Sequence, residues 1–178
     1  MTMNYNDAVK FATVAHAGQK RKFTGEDYVT HPIAVASMVM DHLANIGFDK
    51  ANIELAGTIA VLHDTVEDTD VEMEDIQKLF GDTVAKGVWF LTKVPSYVGN
   101  RAERKALCDA RLANAPLIVK EIKRYDMLHN QGSLKEHDPN FYEVWFAETL
   151  TTLAQMGFST LWTPLTFDAK NLHGEKKL

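Results

Sequence analysis

Apolar residues recur at three- and four-residue spacing along almost the whole chain, and nowhere do several alternating strands occur with hairpin signals between them. This pattern predicts an all-α protein of roughly eight helices. A first helix is expected over 6–17, with Val9, Ala12, Val14 and Ala15 buried and Gly18 as its stop. A polar loop, "QKRKFTGEDYVT", follows. Pro32 suits a first helical position and so places His31 at the N-cap of a second helix, which runs to about Ile46. The third helix, 52–66, has almost no polar face, because Ile53, Leu55, Ala56, Ile59, Ala60, Val61 and Leu62 surround it; it is expected at the centre. Shorter helices are expected over 73–80 and 83–92. The loop "KVPSYVGN" then precedes a charged, solvent-facing helix over 101–114. Pro116 opens another that runs to about Asn130, "EHDPN" interrupts, and a last helix covers 141–156.

At 178 residues the chain is long enough for one ordinary domain with a real core, expected over 1–162. The tail, 163–178, is polar and without period and is expected to be partly disordered. A net charge of -5 argues against a duplex nucleic-acid binder. Cys108 stands alone, which excludes an intrachain disulfide and a thiolate zinc site and fits a reducing compartment. No apolar run approaches membrane-spanning length, so a cytoplasmic protein is expected, with no membrane partner. The sequence leaves the oligomeric state open.

The chemistry gathers in "VLHDTVEDTD", residues 61–70. On a continuous helix His63 would stack toward Glu67 and Asp64 toward Asp68, and the second pair is like-charged, which is unfavourable. Asp70, Glu72, Glu74 and Asp75 read as a solvated helix end, with Thr69 or Asp70 capping the next helix. His63 and Asp64 do not, because they follow a long apolar run and a buried carboxylate needs a partner. A divalent cation is the simplest such partner. Further ligands are available in His31, behind "DYVT", and in Asp126 of "KRYDMLHN", which sits mid-helix between apolar Ile122 and Leu128. On the plain structural alternative, His31 is a satisfied core or cap residue and Asp126 pairs with Lys123 or Arg124.

Taken in order, "THP", "LHDTVEDT" and "YDMLHN" resemble the motifs of the HD-domain phosphohydrolases. The resemblance is closest to the hydrolase domain of RelA/SpoT-type proteins and the small alarmone hydrolases. "HAGQKRKFTGEDYVTHPIAVA" and "LTKV" fit the same family, and the similarity covers about residues 8–134. It implies an HD-domain helical bundle in which His31, His63, Asp64 and Asp126 hold a metal, usually Mn²⁺, with Fe²⁺ or another divalent ion also suited to two imidazoles and two carboxylates. It further implies that Glu67 and Asp68 orient and deprotonate the attacking water and assist the leaving group. Arg21, Lys22, Thr24, Lys93, Asn130 and Ser133 are implied as contacts to a small nucleotide substrate. The expected reaction removes the 3′-pyrophosphate of (p)ppGpp, in a stand-alone hydrolase without a synthetase domain.

The chain departs from the family pattern at Arg124, Tyr125, Met127 and Gly132, which leaves the metal set intact and bears on base specificity. Two alternatives follow. One is an HD-domain phosphohydrolase for another nucleotide, such as an adenine alarmone, the 2′-phosphate of NADPH or a deoxynucleotide. The other is a non-catalytic helical module with a structural metal. His16 reads as structural and His129 as a packing residue that hydrogen-bonds near the site. His42, His137 and His173 read as surface residues, and Trp89, Trp145 and Trp162 as core anchors.

Overall fold

The computed structural model describes residues 3–158. Among them are eight α-helices of two turns or more, one single α-helical turn and a 3-10 turn at Ser96–Val98: α1 Tyr5–Ala15, α2 Thr30–Asn45, α3 Lys50–Leu62, α4 Thr65–Asp68, α5 Met73–Phe80, α6 Asp82–Leu91, α7 Arg101–Ala113, α8 Leu117–His137 and α9 Pro139–Gln155. The only pairing of extended residues among the described ones is an isolated antiparallel bridge, Lys20 to Asp27, within the loop before α2. No helix of the described residues is long and apolar enough to cross a membrane. The expected tail, with Trp162 and His173, lies outside the described residues.

The predominantly apolar α3 is the axis of the bundle and packs against α1, α2, α6 and α8. Asp49 caps its start by accepting from the Asn52 amide at 2.8 Å, and every residue from Ala56 to Leu62 is buried. Leu43, Ile59, Leu62, Ile76, Ile122 and Leu153 form the bulk of the core, each worth about 1.5–3 kcal/mol of transfer free energy. Gly87 lets α6 approach α3 closely: a β-carbon there would stand 2.5 Å from Cδ1 of Ile59 and 2.9 Å from its Cγ1.

Several local expectations are corrected. His31 is not a cap: α2 begins at Thr30 behind Val29, and His31 and Pro32 are both buried in its first turn. The third helix stops at Leu62 instead of Val66, so the like-charged stacking on a continuous helix does not arise. Glu72, not Thr69 or Asp70, caps α5, in a reciprocal capping box with Asp75. α8 continues past Asn130 through Gly132 to His137. Val14 is 76% exposed and Trp89 is 46% exposed, Trp89 lying beneath the Arg111 guanidinium, so neither is a core residue. His42 is half-buried against Arg124 and Glu121 instead of lying free on the surface.

Candidate metal centre and nucleotide cavity

The break after Leu62 builds the site. His63 Nδ1 donates to the Ala60 carbonyl at 2.6 Å, and the Thr65 hydroxyl donates to the Leu62 carbonyl at 2.7 Å. These carbonyls would otherwise accept from the next helical turn, so side chains that compete for them end α3 and open a bend at His63 and Asp64. The bend aims both side chains at His31 from α2 and Asp126 from α8. His31 Nε2 lies 3.1 Å from Asp126 Oδ1 and 3.7 Å from Asp64 Oδ2, and His63 Nε2 lies 3.2 Å from Asp64 Oδ2 and 3.7 Å from Asp126 Oδ1. His31, His63 and Asp64 have ligand atoms within 4.8 Å of one another. All four residues predicted as metal ligands therefore meet.

The donor set fits a divalent cation. With Nδ1 donating to a carbonyl, Nε2 is the nitrogen that His63 presents to the cluster, 3.2 Å from Asp64 Oδ2, and once deprotonated it offers a lone pair to a cation. It faces two carboxylate oxygens and a second imidazole, the mixed nitrogen and oxygen set of a transition-metal site. The electrostatics point the same way. Burial opposes charge on His63, but Asp64 and Asp126 outweigh it and hold the imidazole well above its ordinary pKa. Burial likewise opposes ionisation of Asp64 and Asp126, yet His63 holds Asp64, and Lys123 with both imidazoles holds Asp126, well below the usual carboxylate range. The cluster attracts positive charge.

A surrounding set of contacts orients these groups. Tyr28 places its hydroxyl 2.8 Å from Asp64 Oδ2 and 2.9 Å from Asp68 Oδ2. Lys123 donates to Asp126 Oδ2 at 2.8 Å and Asn130 donates to Asp126 Oδ1 at 2.8 Å. His31 Nδ1 lies 2.9 Å from His129 Nδ1. Burial, with His31 and Arg21 adding to it, lowers His129 to about 4, so its ring stands neutral beside His31. His16 Nδ1 stands 2.8 Å from Gln19 Oε1, and the Gln19 amide donates to the Asp68 carbonyl at 2.6 Å, a structural role as expected.

Glu67 and Asp68 leave from the single turn α4 beside the cluster without entering it. Glu67 accepts from the Lys93 backbone amide at 3.1 Å and pairs with the Lys93 ammonium. Arg21, Lys22, Thr24, Asn130 and Ser133 line one cavity of about 170 Å³, joined by Phe23, Tyr28 and Leu134. Arg21 donates to Asn130 Oδ1 at 3.0 Å, and Phe23 stacks on His137 at its edge, 5.3 Å between ring centroids. Lys93, expected with that group, does not line that cavity and pairs with Glu67 instead. Sequence reasoning missed the role of Tyr28 and gave the pairing of Lys123 with Asp126 only as the structural alternative. Lys123 was visible as a cation one helical turn before Asp126, whereas Tyr28 gave no signal beyond its place in the loop motif.

Comparisons with known proteins agree with this geometry. An HD-domain family model matches residues 8–109. The chain is 37% identical over 153 residues to a "GTP pyrophosphokinase" of Streptomyces coelicolor, covering 82% of this chain and 17% of that protein. It is 39% identical over 129 residues to the "guanosine-3′,5′-bis(diphosphate) 3′-pyrophosphohydrolase" of Aquifex aeolicus, covering 71% of this chain and 17% of that one. The chain thus spans about a sixth of the length of the curated relatives it matches. Among solved structures, a metazoan ortholog of SpoT described as hydrolysing ppGpp superposes with a TM-score of 0.68 at 29% identity, with 84% of each chain covered. A helical bundle that carries two histidines and two aspartates to one point, matched by these relatives across most of its length, places the chain in the HD-domain family, among RelA/SpoT-type proteins.

Proposed function

We propose that the chain is a divalent-metal phosphohydrolase that removes the 3′-diphosphate of (p)ppGpp, yielding GDP or GTP and pyrophosphate. The observation that carries this reading is the convergence of His31, His63, Asp64 and Asp126 on one point, with the buried His63 Nε2 among them and a basic cavity alongside. Those four side chains would hold the cation, with Mn²⁺ the favoured ion. When bound, it lowers the pKa of water and polarises a phosphoryl oxygen.

The chain's own residues do the rest. Arg21 and Lys22 supply the local positive charge that an acidic protein needs for so anionic a substrate, and Thr24, Asn130 and Ser133 line the same wall. In the reaction the water oxygen bonds to the phosphorus next to the ribose, the bond from that phosphorus to O3′ breaks, and O3′ takes a proton. Glu67 or Asp68, on the turn beside the cluster, would accept the proton given up by water, a contribution of about 10²–10⁴ in rate. Lys93 and Tyr28 hold the two acids in place.

The test is the purified protein with Mn²⁺ and a panel of ppGpp, pppGpp, the adenine alarmone, NADPH and deoxynucleotides. Pyrophosphate release from ppGpp is expected. Turnover of another nucleotide without it would reassign the substrate, and the changed residues around Asp126 make base specificity the point where the panel discriminates. Metal binding with no turnover of any nucleotide would leave a helical module with a structural ion.

A further inference from the structure

The described residues enclose a second cavity, of about 330 Å³, between the end of α6, α7, α8 and α9. Its wall holds six basic side chains, Lys93, Arg101, Arg104, Lys105, Arg111 and Lys123, against the acids Asp109 and Glu148. Four of the six are neutralised locally: Arg101 by Glu148, Lys105 by Asp109, Lys93 by Glu67 and Lys123 by Asp126. Arg104 and Arg111 are not. Arg104 donates to the carbonyls of Gly99 at 2.6 Å and Ser96 at 3.3 Å. Arg111 donates to the Thr92 carbonyl, lies 4.7 Å from the Trp89 ring centroid, and has a buried Nε with no hydrogen-bond partner. Two half-buried guanidiniums held by backbone carbonyls, in no ion pair among the described residues, in a recess whose acids Asp109 and Glu148 are already paired with Lys105 and Arg101, form a place for an anion.

The recess shares its wall with the metal centre, because Lys123 touches both it and Asp126 and Lys93 touches both it and Glu67. α8 sets the order. Lys123, Asp126 and Asn130 follow one another at three and four residues along one helix face, so the Arg21 cavity adjoins the Asn130 end and the basic recess the Lys123 end, with the ligand Asp126 between them.

We infer that this recess is a diphosphate pocket. It takes the outer phosphate of the 3′-diphosphate while the nucleoside fills the Arg21 cavity, and it holds inorganic pyrophosphate once the bond to O3′ has broken. The order of events rests on the hydrolase reading above; the anion site does not. Two linked phosphates suit it better than one, because the inner phosphorus must stay at the metal centre while the unmatched positive charge lies further along, at Arg104 and Arg111.

The test is calorimetric titration of the Mn²⁺-loaded full chain with inorganic pyrophosphate and with GDP, free Mn²⁺ held constant. Arg104→Gln and Arg111→Gln should each weaken pyrophosphate about tenfold, the value of one charge-assisted hydrogen bond, while GDP binding holds. Arg104→Lys, which keeps the charge, should recover most of that loss. Arg21→Gln should do the reverse, weakening GDP and sparing pyrophosphate. Thermal midpoints identify any variant that fails to fold, and the Arg104 pair decides the matter if Arg111→Gln does fail. Pyrophosphate affinity unchanged in the folded arginine variants, or lost instead in Arg21→Gln, overturns the pocket. A protein that never hydrolyses ppGpp yet needs Arg104 for pyrophosphate refutes the substrate and retains the anion site.

Discussion

The hydroxyl of Tyr28 lies 2.8 Å from Oδ2 of Asp64, and the same oxygen reaches Oδ2 of Asp68 at 2.9 Å. A phenol has one proton, so it donates to one carboxylate at a time and couples a proposed metal ligand to one of the two acids beside the cluster. Burial and both carboxylates push its pKa far up, which keeps that proton in place. Tyr28→Phe should therefore keep the metal, cost about 1 kcal/mol of stability and lower kcat by about 10–100-fold. Metal analysis beside steady-state kinetics checks this; unaltered kcat would show that the bridge does not position the acids.

Glu67 presents the cleaner separation of metal binding from chemistry. Its carboxylate touches Lys93 but none of the four ligands, so Glu67→Gln should retain the ion and lose about 10²–10⁴ in turnover. Because the amide can still accept from the Lys93 backbone, the thermal midpoint should hardly move. Turnover at the wild-type level would remove Glu67 from the mechanism and shift the proton-accepting role to Asp68.

Removal of the ion has a thermodynamic signature. The cluster lies between α2, α3 and α8, so an ion bound there favours the folded chain by about 2.7 kcal/mol at a free concentration one hundred times its dissociation constant. Chelation should lower the thermal midpoint and Mn²⁺ should restore it, whereas Asp64→Ala should no longer respond to Mn²⁺. A wild-type midpoint indifferent to Mn²⁺ and chelator would mean that the four side chains do not bind that ion.

The helices were legible because the apolar period is strong and Gly18, Gly47 and Gly81 mark stops, and the convergence of His31, His63, Asp64 and Asp126 was legible because their motifs come in a fixed order. The bend between α3 and α4 was not. Helical propensity runs unbroken through Val66, and only the competition of His63 and Thr65 for main-chain carbonyls ends the helix. Tyr28 and Arg104 escaped notice for another reason. Their partners are set by tertiary packing, which no local period encodes, whereas Lys123 lies one turn from Asp126 and its pairing was foreseeable. Trp89 was misread because a large aromatic on an apolar helix resembles a core anchor, yet here it supports an arginine.

His42 carries the pH dependence that can be isolated from the metal centre. Its ring faces Arg124, 3.1 Å from Nε2, with Glu121 at 3.6 Å and the Tyr125 ring beside it. Burial, reinforced by Arg124, lowers its pKa below the ordinary 6.5, so the folded state binds the proton less readily than the unfolded chain does. The stability tied to this group is thus complete above about pH 6.5 and is lost as pH falls through the folded value, at no more than about 1.4 kcal/mol per pH unit. Glu121 works in the opposite sense: burial raises its pKa against the pull of Arg124, so mild acid favours its folded form. The comparison with His42→Asn, which can still accept from Arg124, isolates the histidine. Urea midpoints of the two proteins should lie close together at pH 7.5 and change their difference steadily toward pH 5, with the wild type losing more. Parallel midpoints across that range would mean that His42 is as easily protonated in the fold as in the unfolded chain, and that Arg124 exerts no field on it.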